Sequence, residues 1–488
     1  NEEINNATQQ LVFYRTNSPS ELMAICANFL LLNELDLPIY RFSTIIINNI
    51  LKLTLNRDIK IHDDIPAFWS NLDNSLKVTI QRGVLAGIMI DDQVSRNCSS
   101  EAISLITRLE SLSATPSTLF DTVFQILSSD QYSIGAKLGG IRVLGEIFEL
   151  NHTHGPFLNE RFNLPQIGEN VFKLTITILQ SEGTPLDFKV EAAKTLKSAL
   201  PIFYTFVASQ FVELLKVFLS ILPIGIHGYN LLLKFTKCFY PQLTSEVLVN
   251  IFNAVIADMT SSDETKQLIS IGFCYRFAKF EYKLARRIDN QIPILNITKQ
   301  LSDQISTTLL QILLNSLDEN MIDVFDDNPK ENISNSIITT LTQFARFEDN
   351  QEAISKTILL FFTQQSQINQ WNTKYASIYS LFVIVFIERN ESITSFFMQL
   401  LPKLFEIISN EPSESIQCIS ILLIGQIVIH HFKTVLDQHA METIVPLTVQ
   451  LIQSQNTHIS LAALLIVQNI TAIIPQRLSN PQQFLNFF

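Results

Sequence analysis

The chain has 488 residues, room for several ordinary domains or one long repeat array. Its 13 glycines and 17 prolines are too few for the tight turns of a large β or α/β protein. A net charge of −12 argues against nucleic acid, since phosphate neutralisation needs clustered Lys and Arg, and suits a surface that receives basic proteins.

In chain order the apolar residues recur at helical spacing. A helix at 1–16 stands alone, as the second half of a repeat whose partner precedes this numbering. Helix pairs follow at roughly 20–54, 72–109, 116–150, 165–201, 208–240, 243–280, 291–347, 352–388, 392–430 and 437–474. In Phe211, Leu214, Leu215, Phe218, Leu219 and Leu222 the steps of three and four mark one helix face, and Ile337, Leu341, Phe344 and Ala345 repeat them. Breakers separate the segments: Ser18-Pro19, Leu37-Pro38, Thr115-Pro116, Thr184-Pro185, Leu222-Pro223, Tyr240-Pro241, Leu401-Pro402 and Glu411-Pro412. Each pair spans about forty residues, the period of HEAT or armadillo arrays. Small residues early in second helices, as in Ala192-Ala193 and Ala376-Ser377, let neighbouring units approach closely. The expected fold is therefore all-α, a right-handed superhelical solenoid of about ten HEAT repeats. The segment from Pro475 has few packing signals, and the array is expected to continue in a longer protein.

With 47% hydrophobic and 16% charged residues, membrane insertion needs a test. The most apolar runs, 378–387 and 419–429, are about half the ~20 residues of a spanning helix, so no insertion is expected. The opening Asn1-Glu2-Glu3 is no signal peptide. The cysteines Cys26, Cys98, Cys238, Cys274 and Cys418 are scattered without a CxxC pair, a reduced, intracellular pattern. Asn-x-Ser/Thr triplets such as Asn151-His152-Thr153 fit chance in an Asn-rich chain.

Chemistry-bearing motifs are absent. Gly139-Gly140 lies in no phosphate-cradling loop, and His152/His154 and His430/His431 lack Cys or carboxylate partners at metal-ligand spacing. GxSxG and HExxH do not occur. Asp63-Asp64 and Asp91-Asp92 fall at helix boundaries, where acids favour the helix N-terminus. No catalytic residue, metal or cofactor is expected, and the chain reads as a binder of macromolecules.

A series of landmarks points to a family. They begin with 2–14, 21–32 and Arg41-Phe42-Ser43-Thr44, running on to Asn48-Asn49-Ile50-Leu51. Phe68-Trp69-x-x-Leu72-Asp73 and Ser95-Arg96-Asn97-Cys98-Ser99-Ser100-Glu101-Ala102 follow. With these, nearly the whole chain resembles the N-terminal half of the importin-β (karyopherin-β) family of nuclear transport receptors. Asn48 departs from the family's usual basic residue.

The resemblance implies three binding regions. Ran-GTP would meet the second helices at 38–54, 96–109 and 134–150, through Arg41, Asn49, Lys52, Ser95, Arg96, Asn97, Ser99 and Ser100. A slot for the phenylalanine of FG-repeat nucleoporins would form from Leu174, Thr175 and Ile178 with Phe211 and Val212. One ring in such a groove contributes a few kcal/mol, so contacts stay reversible. The acidic stretch 318–329, with Asp318, Glu319, Asp323, Asp326 and Asp327, stands where the family has an acidic loop that touches Ran and basic cargo.

On this reading residues 1–150 bind Ran-GTP, 151–290 bind FG-nucleoporins, 291–350 hold the acidic loop and 351–488 bind cargo or adaptor. The protein would move between cytoplasm and nucleus, carrying basic cargo directly or through an importin-α adaptor. The family grips that adaptor with a tryptophan ladder, whose positions here hold Asp327, Leu422 and Leu464, so the adaptor site is in question. A static HEAT scaffold, of the phosphatase regulatory or vesicle-coat adaptor kind, is the alternative.

Overall fold

The structure is a computed structural model. It describes residues 2–31, 36–58, 67–112, 118–154, 164–201, 211–287, 292–317, 333–387, 391–430 and 438–477. They are almost entirely helical, with no strand among the described residues. The chain divides into two compact units, Asn1–Phe239 and Tyr240–Phe488.

In the first unit α1 (Glu2–Asn17) precedes α2 (Pro19–Leu30) and α3 (Leu37–Asp58), and a short α4 (Ala67–Asn71) leads to α5 (Asn74–Ile88) and α6 (Gln93–Leu112). Then come α7 (Thr118–Ser128), α8 (Ile134–His154), α9 (Leu164–Gln180), α10 (Leu186–Ala199), α11 (Phe211–Ser220) and α12 (Ile226–Phe239). The pairs α2/α3, α5/α6, α7/α8, α9/α10 and α11/α12 pack together, and the second helices stack as α3, α6, α8, α10 and α12.

The second unit repeats the plan. It holds α13 (Ser245–Met259), α14 (Glu264–Ala285), a one-turn α15 (Ile297–Gln300), α16 (Ser302–Ser316) and α17 (Ile333–Phe344). It continues with α18 (Glu348–Gln365), α19 (Trp371–Ile387), α20 (Glu391–Asn410), α21 (Glu414–His430), α22 (Gln438–Ile452) and α23 (Thr457–Arg477). Second helices α14, α17, α19, α21 and α23 stack in turn. Every helix pair expected from the apolar spacing is present, and the fold is the HEAT array read from the sequence.

Helix starts follow local chemistry. Asp73 accepts from the Ser75 amide (2.8 Å), Thr244 from Val247 (3.3 Å) and Asp263 from Lys266 (3.2 Å), each satisfying an amide that has no intrahelical partner. First and second helices differ in pattern because they differ in surroundings. In α21, Ile416, Ile419, Leu423 and Gly425 are all buried although they point around the helix, since α19, α20 and α23 enclose it. Aromatic pairs fill the interiors: Phe218 meets Phe235 at 4.6 Å in the first unit, and Phe252 meets Phe277 at 5.0 Å in the second.

One expectation is corrected. Leu401-Pro402 does not break a helix; α20 runs through it. Pro402 is exposed, so its ring lies on the solvent side of α20, where the helix forgoes one hydrogen bond and continues. Among the described residues no helix is long and apolar enough to cross a membrane.

Candidate functional site

All eight residues expected to meet Ran-GTP lie on two stacked second helices of the first unit, α3 and α6. At the α3–α6 junction Arg41 forms a two-pronged ion pair with Asp92, Nε to Oδ2 at 3.0 Å and Nη2 to Oδ1 at 2.5 Å. Asp92 also accepts from the Ser95 amide at 2.7 Å, capping α6. The Arg41 bond first, and then the Ser95 bonds, hold the Asp92 carboxyl well below the usual carboxylate range. Deeper along α3, Lys52 pairs with Glu101 at 2.5 Å, and Asn48 donates to Glu101 (3.0 Å) and to the Cys98 carbonyl (2.9 Å).

The eight residues expected to meet Ran-GTP fall into two groups. Ser95, Ser99 and Ser100 are buried between helices. Ser99 shares a hydrogen bond with Tyr40 (2.8 Å), and Ser100 donates to the Arg96 and Gly139 carbonyls (2.7 and 3.3 Å). Their geometry joins α3, α6 and α8. Burial raises the Tyr40 hydroxyl to about 12, so it stays a neutral donor to the Gly83 carbonyl. Arg41, Asn49, Lys52, Arg96 and Asn97 keep some exposure, and Arg96 is steadied by the Ile90 carbonyl (2.9 Å) and Asp91 (3.3 Å). Sequence reasoning missed Phe42 and Ile45, which are 56% and 43% exposed and share one face of α3 with Asn49 and Lys52. Their spacing of three and four was the available signal.

The slot residues sit on adjacent first helices, α9 and α11, which touch. Leu174 is half-buried, Ile178 is buried, and the fully buried Thr175 donates to the Val171 and Phe172 carbonyls at 2.8 and 2.9 Å. Phe211 and Val212 open α11, and their side chains lie outside the described residues. The acidic residues Asp318, Glu319, Asp323, Asp326 and Asp327 also lie outside them, in the interval between α16 and α17.

Of the ladder positions, Leu422 is half-buried, Leu464 on α23 is 47% exposed, and Asp327 lies outside the described residues. The tryptophans are structural. Trp69 is buried, and Trp371 donates to Ser413 (2.8 Å) while stacking on Tyr375 at 5.3 Å.

A further polar centre, at the α14–α15 junction, escaped the sequence reading. Glu281 is fully buried and accepts from Tyr240 (2.6 Å), from the Ile297 and Thr298 amides (3.0 and 2.8 Å) and from the Thr298 hydroxyl. Tyr240 in turn accepts from the Leu295 amide at 2.8 Å, and burial together with the Glu281 charge pushes its hydroxyl well above the ordinary range. Asn296 leads into α15 with φ 54°, a left-handed conformation that Asn tolerates better than most residues. Its one available signal was an acid on the Phe277–Ala278–Leu284 face of α14.

Among the described residues no group of three or more His, Cys, Asp or Glu is placed to hold a metal ion. No protein-family model and no curated protein matches the chain. Solved structures do. Yeast importin-β (Kap95p) superposes with a TM-score of 0.80 at 16% identity, covering 98% of this chain and 54% of that one. A Kap95:Nup1 complex gives 0.78 at 16%, covering 99% and 55%. Kap121p bound to RanGTP gives 0.62 at 13%, covering 97% and 43%. The chain thus spans about half the length of the proteins it matches, and it has the importin-β fold.

Proposed function

We propose, from that fold, that this chain belongs to a karyopherin-β-type nuclear transport receptor that binds Ran-GTP, FG-repeat nucleoporins and protein cargo. The observation that carries the reading is the likeness of nearly the whole chain to Kap95 and Kap121, solved with Nup1 and with RanGTP respectively. On this reading the chain acts by binding.

Residues 1–150 would receive Ran-GTP on α3, α6 and α8. Arg41, Asn49, Lys52, Arg96 and Asn97 would make the contacts, and Ser95, Ser99 and Ser100 would set the helix positions behind them. Phe42 and Ile45 add an apolar strip to that surface. Residues 151–290 would take a nucleoporin phenylalanine beside Leu174 and Ile178, with Phe211 and Val212 across from them. The acidic loop 318–329, within 291–350, and the repeats of 351–488 would hold basic cargo. The exposed aliphatic Leu464 favours direct cargo capture over an importin-α adaptor, because a leucine supplies no cation–π contact. Such a receptor works in both cytoplasm and nucleus.

The test is binding of the chain to Ran loaded with a non-hydrolysable GTP analogue and, separately, with GDP. A preference for the GTP form of roughly 100-fold is expected, reduced by Lys52→Glu combined with Asn49→Glu on the exposed face of α3. Equal or absent binding sinks the transport reading and leaves a HEAT scaffold.

A further inference from the structure

Helix α14 carries a charge pattern that none of these assignments uses. Residues 276–287 hold five of the chain's 34 Lys and Arg residues and one acid, Glu281, in a chain whose net charge is −12. Glu281 is buried on the side of α14 that also buries Phe273, Cys274, Phe277, Ala278 and Leu284. Its partners there are Tyr240, Ile297 and Thr298, so it neutralises none of the five cations.

The opposite side of α14 is basic and aromatic. Tyr275, Lys279, Tyr282 and Arg286 are spaced by four, three and four, which puts them on one face, and Lys283 and Arg287 flank it. Lys279 lies over the Tyr275 ring at 5.5 Å, and Arg286 lies over the Tyr282 ring at 4.9 Å. Arg286 continues the helical turn, its amide bonded to the Tyr282 carbonyl at 3.3 Å. Phe347 meets Tyr282 edge-on at 5.4 Å and steadies that ring.

Lys279, Lys283, Arg286 and Arg287 are exposed, and among the described residues none of them forms an ion pair. At the start of α18 Asp349 is held by Lys299 at 2.8 Å, and the exposed Arg346 and Glu348 cancel in charge. A helix C-terminus favours cations only within its last turn. The helix dipole therefore accounts for Lys283 and the two arginines, and leaves Lys279 and its ring unexplained.

The basic track is short. From Lys279 to Arg287 the helix rises ~12 Å, the reach of about four extended residues. Stacked beside it, α17 shows Asn335, Ser336, Thr339 and Thr342, which carry no charge. A nucleic acid strand would run off this patch onto an acidic chain, whereas a short peptide fits within it. Carboxylates on alternate residues of an extended peptide stand ~7 Å apart, close to the ~6 Å rise between Lys279 and Lys283.

We infer that this face of α14 docks an extended acidic peptide with carboxylates on alternate residues. Lys279, Lys283, Arg286 and Arg287 receive the carboxylates, and Tyr275 and Tyr282 position Lys279 and Arg286. The inference stands apart from the transport reading, whose cargo is basic and whose Ran surface is on α3 and α6, and it survives the failure of that reading.

The experiment is fluorescence anisotropy of the whole chain with fluorescein-labelled Glu-Ser-Glu-Ser-Glu-Ser, its Gln-for-Glu counterpart and a single-stranded oligo(dT). The acidic peptide is expected to bind at ~10–100 μM in low salt and at least about tenfold more weakly at high salt, and the Gln counterpart is expected not to bind. Lys279→Glu combined with Lys283→Glu should weaken binding at least about tenfold. The same charge change at the exposed Lys173 and Lys216 of the first unit should leave it within about twofold. Tyr282→Leu should weaken it about threefold, and Tyr282→Phe, which keeps the ring under Arg286, should not. Circular dichroism checks that each variant remains folded. Absence of binding by the acidic peptide at about 1 mM overturns the site. An equal loss in the Lys173 and Lys216 variant reduces the effect to net charge and overturns the assignment to α14. Tighter binding of oligo(dT) overturns the peptide as occupant, and an affinity unmoved by Tyr282→Leu overturns the positioning role of the ring.

Discussion

The α3–α6 junction and the α14–α15 junction both tie one helix to another through carboxylates, by opposite means. In the first unit the carboxylates of Asp92 and Glu101 face the cations of Arg41 and Lys52, and water still reaches them, with the Lys52 and Glu101 side chains 46% and 36% exposed. In the second unit Glu281 is fully buried, and among the described residues no cation pairs with it; neutral donors from Tyr240, Ile297 and Thr298 meet its charge. Exposed pairs contribute about 0–1 kcal/mol each and yield to salt or to a partner's charges. A buried carboxylate with every lone pair occupied is costly to disturb, because removing it strands several donors at once. The first junction suits a surface that exchanges contacts with a partner, and the second suits a fixed joint.

The contrast is broken most severely at Glu281. Glu281→Leu leaves the Tyr240 hydroxyl and two backbone amides unsatisfied, and is expected to cost the second unit about 3–5 kcal/mol. The two tryptophans, Trp69 and Trp371, fall one in each unit, so each unit can be followed separately. In a Trp69→Phe background the Trp371 emission during urea unfolding reports the second unit, and an unshifted midpoint would remove Glu281 from the role given to it here. Gly87→Ala comes next. Its methyl would collide with the Tyr40 and Ser99 hydroxyls, which are hydrogen-bonded to each other between α3, α5 and α6. Displacing them is expected to cost the first unit about 2–3 kcal/mol, read from Trp69 in a Trp371→Phe background. A loss below about 0.5 kcal/mol would mean that the helices shift apart freely there.

The same contrast shows which features were readable from sequence. Helix pairs were legible because burial imposes a period of 3.6 on the apolar residues, and Asp92 was legible as an acid at a helix start. Glu281 was not, since an acid within an amphipathic helix reads as solvated face unless its donors are known. Those donors come from Tyr240, far back in the chain, and from the Ile297–Thr298 backbone, whose placement no local pattern encodes. Proline at 402 misled for a related reason: propensity marks a break, while the exposure of Pro402 lets packing on the opposite side of α20 carry the helix through. Ser95, Ser99 and Ser100 match the family landmark in sequence, yet whether a serine faces a partner or a neighbouring helix depends on the rotation of α6, fixed by contacts with α3 and α8.

The smallest effect sharpens the comparison furthest, because its size depends on pH. Arg41→Met removes one half of an ion pair in which Arg41 is 34% exposed, and is expected to lower the urea midpoint of the first unit slightly near neutral pH. The Asp92 carboxyl has a depressed pKa in the folded chain, held down first by Arg41 and then by Ser95. Its stabilisation is therefore fully present above the unfolded aspartate value of ~3.9 and is lost as pH falls through the lower folded value. The difference in urea midpoint between the wild-type chain and Arg41→Met, both followed through Trp69, should be constant from neutral pH down to about 5. It should narrow below about 4, as the carboxylate that Arg41 needs takes up a proton. Added salt should narrow it at neutral pH as well, since both partners meet solvent. A difference that persists undiminished in acid and in salt would assign the Arg41 contribution to the packing of its aliphatic stem, and the first junction would then resemble the buried one more closely than its exposed charges imply.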